Sequence, residues 1–244
     1  DLVAVRKQTA AGHFQRYWIN PSKVRAAVKA GGYGAALKEV EGAGGDSRLA
    51  DSMVRDWGDL PFRPQSLAMR GAATALVAEA TGRPLGDLLD EDAGDVAAMA
   101  KQLKGYLVEG EKMVDRPTAG KQLARAAASA KARATVEAMA AISQSMYQEE
   151  EVVLYRGVGK AQARATRSID TGTLVSFTED RKVAEGFAEL RGGKVIVVRV
   201  PRSAIVLSHR AFASRYYEGD DPGVRLVPHE KEVVVATRGR LQLQ

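Results

Sequence analysis

The sequence predicts an α+β fold, with helices first and a β-sheet region after. Two observations carry this. Over the first ~60% of the chain, Ala, Leu, Met and Val recur at three- and four-residue spacings, the period of a helix packed on one face. After about residue 150 the pattern changes to short runs rich in Val, Ile, Tyr and Phe. Runs of helices followed by runs of strands favour α+β over alternating βαβ units.

Taken in order, Pro21 to Lys29 and Tyr33 to Val40 read as short helices separated by a Gly31–Gly32 turn, and the segment around Gly42, Gly44 and Gly45 as a loop. Ser66 to Ala80 reads as a helix stopped by Gly82 and Pro84. Asp87 to Val114 reads as one long or two short helices, with Gly94 and Gly105 as candidate breaks. Lys121 to Tyr147 is Ala-rich and reads as one helix, with Leu123, Ala127, Ala130, Ala134, Met139 and Ile142 along a stripe. Strands are expected at Val152–Tyr155, Thr173–Phe177, Lys194–Val200, Ala204–Leu207 and Glu232–Thr237, with one helix between Thr178 and Leu190.

Composition bounds the chemistry. A hydrophobic fraction of 45% over 244 residues is enough for a packed core and excludes a mostly disordered chain. The cysteine count is 0, which excludes disulfides, thiolate catalysis and cysteine-held metals. No apolar run reaches the ~18 residues of a bilayer span. The net charge of +6 divides evenly about residue 149, so it forms no basic tail, yet it suits an anionic partner. No phosphate-binding loop or dinucleotide fingerprint is present. His13, His209 and His229 show no metal-ligand spacing, so no metal is expected. The acidic run Asp87, Asp90, Glu91, Asp92, Asp95 reads as helix capping plus a solvated face. The chain starts at Asp1 without a signal-like segment, and is expected to be the C-terminal part of a longer protein.

Three pieces in the β-rich part stand out together. Leu154-Tyr155-Arg156-Gly157-Val158 ends a strand on an Arg followed by Gly. Leu174-Val175-Ser176-Phe177-Thr178 ends a strand on Ser-x-Thr before a helix containing Ala184 and Phe187. Glu230-Lys231-Glu232-Val233-Val234-Val235 opens a strand with two carboxylates, a like-charge pair that is costly without a nearby cation. Singly, each is an ordinary surface, capping or edge feature.

In order and at strand ends, the three resemble the motifs of the Arg–Ser–Glu class of mono-ADP-ribosyltransferases, the group that includes cholera-like and clostridial binary toxins. The resemblance covers roughly residues 118–244. Phe177 and Thr178 stand where that family often has Thr and Ser. It implies a core of two packed, mainly antiparallel β-sheets with flanking helices. The catalytic domain would span residues 116–244, with the 121–147 helix packed on a β-rich core over 151–237. Residues 1–115 would form a helical region of unknown role.

The resemblance further implies NAD as co-substrate. Breaking the nicotinamide–ribose bond develops an oxocarbenium-like cation. A guanidinium suits the phosphates and a carboxylate suits the cation. By resemblance, Arg156 would anchor the NAD phosphates and ribose, with Gly157, Ser176, Thr178 and Arg191 also in the cofactor site. Ser176 would hold the catalytic Glu232. Glu230 would take a proton from, or orient, the nucleophile. Thr178 would support the site or merely cap the helix. Gly192 and Gly193 would admit a ligand or simply turn the chain. Tyr216 and Tyr217, in the Arg210–His229 loop, would pack on an acceptor or anchor the loop.

Glu-x-Glu implies arginine in a protein as acceptor, with RNA left open. The module would be a toxin or effector acting in a cytoplasm, with a cognate inhibitor or immunity protein as a further partner. Two alternatives stand beside this: an NAD glycohydrolase on the same scaffold, and a non-catalytic basic domain that binds nucleic acid.

Overall fold

A computed structural model describes residues 3–8, 14–59, 62–103, 113–163, 168–170, 172–213, 230–237 and 240–242. The chain is α+β. It opens on an antiparallel hairpin, β1 (Val3–Gln8) and β2 (Phe14–Ile19), which the helical periodicity of this region does not anticipate. Asn20 then caps α1 (Pro21–Gly42) by accepting from the backbone N–H groups of Ser22 and Lys23. As the sequence suggests, α1 is broken in the middle: Gly32 sits at φ 61°, ψ −145°, outside helical space.

Beyond the glycine loop, Asp46 caps α2 (Ser47–Asp59), a helix that the sequence reading omits. Pro64 opens α3 (Pro64–Thr81), and Gly82 closes it in the left-handed conformation. α4 (Leu85–Gln102) runs through Gly94 without a break, while Gly105 lies outside the described residues.

The expected single helix over 121–147 is two: α5 (Arg116–Ala128) and α6 (Ala130–Ser145). Ser129 separates them at φ −76°, ψ 110°, and its hydroxyl accepts from the Ala132 N–H to start the second helix. Capping by Ser129 replaces the intrahelical bond that a continuous helix would make.

The strands follow as β3 (Glu151–Val158), β4 (Ser168–Asp170), β5 (Leu174–Thr178), β6 (Lys194–Pro201), β7 (Ile205–Ser208), β8 (Glu232–Ala236) and β9 (Arg240–Gln242). Between them lie α7 (Lys160–Ala163), α8 (Arg181–Leu190) and α9 (His209–Phe212). Five strands form one antiparallel sheet in the order β6-β3-β5-β8-β7, and β4 pairs separately with β9.

The five-stranded ladder is uneven. β3 and β6 pair over their whole length and β5 and β8 over five residue pairs, but β3 and β5 meet only at Tyr155 and Thr178. Two packed sheets are what the resemblance implies. Among the described residues β6, β3, β5, β8 and β7 form a continuous ladder that narrows to a single pair in the middle.

The core crosses residue 115 without interruption. One cluster joins Val24, Val40, Met53 and Met69 to Met139, Ile142, Leu154, Leu207 and Val233–Val235. α6 lies at its centre, against α1, α3 and β7. A second cluster, with Leu67, Val96 and Leu123, is shared by α3, α4 and α5. No helix among the described residues is long and apolar enough to cross a membrane.

Candidate active site

The cleft opens where β3 and β5 part. In an antiparallel pair, a strand that diverges leaves backbone carbonyls without ladder partners. Here the Arg156 side chain fills that gap: its Nη1 donates to the Ser176 carbonyl at 2.6 Å. The guanidinium also lies 6.0 Å from the centre of the Phe177 ring. Arg156 therefore bridges the strands and lines the space between them.

That space is a cleft of about 180 Å³ walled by Tyr155, Arg156, Gly157, Ser176, Phe177, Thr178, Phe187, Arg191, Glu230 and Glu232, among others. Arg156, Ser176, Glu230 and Glu232 are each partly exposed in it. The register explains how they meet. Thr178 lies opposite Glu232 and Ser176 opposite Val234, so Ser176 and Glu232 are diagonal neighbours on adjacent strands. The Trp57 indole Nε1 donates to Glu232 Oε1 at 3.1 Å, and the neighbouring Ser176 hydroxyl also favours the ionised carboxylate.

Thr178 holds the other glutamate. Its hydroxyl donates to the Glu230 carbonyl at 2.5 Å and accepts from the Asp180 N–H at 3.0 Å. The helix cap of α8 is Asp180, which accepts from the Lys182 N–H, so Thr178 ties down the turn and leaves the capping to its neighbour. Lys231, between the two glutamates, adopts φ 47°, a conformation that disfavours side-chain-bearing residues. An ion pair from its Nζ to Asp180 at 2.9 Å and the Glu179 N–H bonded to its carbonyl at 3.2 Å hold that turn.

The electrostatics are those of opposed charges in a confined place. Burial pushes the Glu232 carboxyl above its usual range. The charge of Glu230 adds to this, and the hydrogen bonds from Ser176 and Trp57 and the charge of Arg156 oppose it. Burial pushes Arg156 down to about 10; the like charge of Arg191 adds to this and Glu232 opposes it.

Gly157 lines the cleft, but its structural reason lies behind it. A Cβ there would come within 2.4 Å of the Ala184 carbonyl oxygen and 2.5 Å of the Ala188 nitrogen, so the glycine lets α8 lie directly on β3. Gly193 is likewise a turn residue: a Cβ would overlap the Val158 carbonyl. Gly192, at φ 59°, ends α8. The turn they make accounts for both glycines, and it places Arg191 on the cleft wall. Tyr216 and Tyr217 lie outside the described residues, as does the loop over 214–229.

Sequence reasoning missed two contributors. Trp57 belongs to the helical part and carries no motif. The sequence places Asp92 on a solvated acidic face, but it is fully buried, accepting from the Thr74 hydroxyl at 2.5 Å and the Thr173 N–H at 3.0 Å, with Arg70 3.7 Å away. Its neighbours Asp90 and Glu91 do face solvent, where they pair with Arg116 and Arg83. Among the described residues no group of three or more His, Cys, Asp or Glu side chains could hold a metal ion. Compared with family models, curated proteins and solved structures, the chain matches none.

Proposed function

We propose that this chain is an NAD-dependent mono-ADP-ribosyltransferase, the catalytic module of a toxin or effector, that transfers ADP-ribose to arginine in a protein. One observation carries the proposal. Arg156 of β3, Ser176 of β5 and the Glu230–Glu232 pair at the start of β8 are distant in sequence, and all line one cleft. On this reading the β3–β6 pair and the β5–β8–β7 group are the two packed sheets of an ADP-ribosyltransferase-like core, hinged at the single Tyr155–Thr178 pair.

The residues fit NAD. Arg156 and Arg191 are like charges sharing a cleft wall, an arrangement that a dianionic pyrophosphate relieves. Tyr155, Phe177 and the partly exposed Phe187 offer apolar surface for a nicotinamide ring. Glu232, oriented by Ser176 and Trp57, would accept from the nicotinamide-ribose 2′-hydroxyl and face the positive charge that develops at the neighbouring carbon. Glu230, at the turn pinned by Thr178, would take the proton that an arginine guanidinium must lose to become a nucleophile. The nicotinamide–ribose bond breaks, neutral nicotinamide leaves, and the acceptor nitrogen bonds the ribose.

Incubation with labelled NAD and a whole-cell lysate, followed by protease or nuclease digestion, tests this. Label that protease releases supports the proposal. Label that nuclease releases moves the acceptor to RNA, and free ADP-ribose alone makes the chain a glycohydrolase. Unconsumed NAD overturns the proposal. Glu230→Gln is expected to lower transfer to arginine more than NAD hydrolysis; equal losses in both remove Glu230 from the acceptor side.

A further inference from the structure

Residues 1–115 carry no resemblance and no motif, yet one of them holds a side chain of the cleft. Trp57, near the end of α2, is 7% exposed. Its indole N–H can only donate, and when buried it needs an acceptor. That acceptor is Glu232 Oε1, 175 residues further along the chain.

The indole is itself held from behind. The Arg70 guanidinium of α3 lies 5.3 Å from its ring centre. Arg70, 3% exposed, donates from Nη1 to the Leu174 carbonyl at 3.2 Å, at the start of the strand that bears Ser176. Asp92 of α4 faces Arg70 and is fixed by Thr74 and Thr173. A buried line of contacts thus runs from α4 through α3 and α2 to a carboxylate in the cleft.

We propose that Trp57 is a positioning residue for Glu232: backed by Arg70 and Asp92, its indole N–H fixes one carboxylate oxygen, so the helical region completes the catalytic site. The proposal rests on Glu232 being the carboxylate that faces the reacting bond. A tryptophan buried only for packing would be satisfied by any backbone carbonyl. Here the acceptor is a charged side chain on the cleft wall.

The charged groups around Glu232 are Glu230 and Lys231 ahead of its own strand, Arg156 on β3, Arg191 after α8, His209 on α9, and Arg70 behind the indole. Trp57 donates to the ionised form, so its removal favours the protonated one. The acid limb of the NAD-cleavage rate then moves to higher pH.

Trp57→Phe retains the ring under Arg70 and loses the N–H. It is expected to lower kcat about tenfold, with little change in KM for NAD, and to shift the acid limb upward. A full-length Trp57→Phe protein with an unmoved limb and unchanged kcat overturns the proposal. A second measurement needs neither NAD nor that variant. The chain has two tryptophans, Trp18 and Trp57. In a Trp18→Phe background, Trp57 emission is expected to titrate with Glu232. That step should vanish in Glu232→Gln and persist, at a lower midpoint, in Glu230→Gln. Emission without the step overturns the coupling. Absence of NAD cleavage by the unmodified chain, with the step present, overturns the proposed function and leaves the Trp57–Glu232 contact established.

Discussion

Glu232 is held by the Trp57 indole from a distant part of the chain and is pushed toward its neutral form by burial and by Glu230. A carboxyl whose folded-state pKa is raised binds its proton more readily folded than unfolded. At neutral pH its charge therefore costs stability, and the cost fades as pH falls through the raised value toward the ordinary carboxylate range. Catalysis by the anion runs the other way and is lost over the same fall. Glu232→Gln is accordingly expected to lower NAD cleavage by ~10²-fold or more, while raising the thermal midpoint at pH 7. A calorimetric scan beside a rate assay checks both, and an active or a less stable variant contradicts the charge-based role. Arg156, Ser176, Glu230 and Glu232 were legible in the sequence because each belongs to a short β-rich motif with recognisable chemistry. Trp57 was not, because its partner lies 175 residues away and only the tertiary fold brings them together. Asp92 was misread for a similar reason. Nothing in an acidic run distinguishes the member that will meet a buried Arg70 from those that face water.

Among the helices, α8 lies directly against the cleft. It packs on β3 through Gly157 and supplies Phe187 and, just past its end, Arg191 to the cleft. Gly157→Ala would place a methyl 2.4 Å from the Ala184 carbonyl oxygen and 2.8 Å from the Phe187 Cβ, so the helix must lift away from the strand. Overpacking of this kind costs about 1–3 kcal/mol. The variant is expected to lose that much in urea unfolding and to bind NAD more weakly by calorimetry; wild-type values in both would mean the helix can shift freely. The five strands of the main sheet and α8 were legible because β-rich runs and the helical spacing after Thr178 mark them locally. β4 and β9, three residues each, are too short to carry a pattern, and the cap of α8 is Asp180 rather than Ser176 or Thr178. The break at Ser129 was not legible either. A serine in an Ala-rich stretch fits a helix interior as well as a cap, and no acidic residue stands three positions on to complete a capping box. The β1–β2 hairpin had a local signal in its Val, Tyr, Trp and Ile residues, outweighed by the helical spacing around it.

Among the described residues the core of the molecule is continuous across residue 115. Met53 and Met69 from the first part pack in the same cluster as Met139, Leu154 and Leu207 from the second, and all five are fully buried. Each such side chain contributes about 1.5–3 kcal/mol through burial, against a total stability of roughly 5–15 kcal/mol for a folded domain. Losing the helical partners of α6 and the sheet therefore removes more than the fold has to spare. The Arg70 contact to the Leu174 carbonyl and the Asp92 contact to the Thr173 N–H tie α3 and α4 to the start of β5 as well. Residues 116–244 expressed alone are therefore expected to show no cooperative urea transition and to bind a hydrophobic dye, while the full chain unfolds in one step. Two resolved transitions in the full chain, or a sharp one in the fragment near the same midpoint, would show that the β-rich part folds without the helices. The site would then survive without Trp57, and Glu232 would depend on Ser176 alone for its orientation.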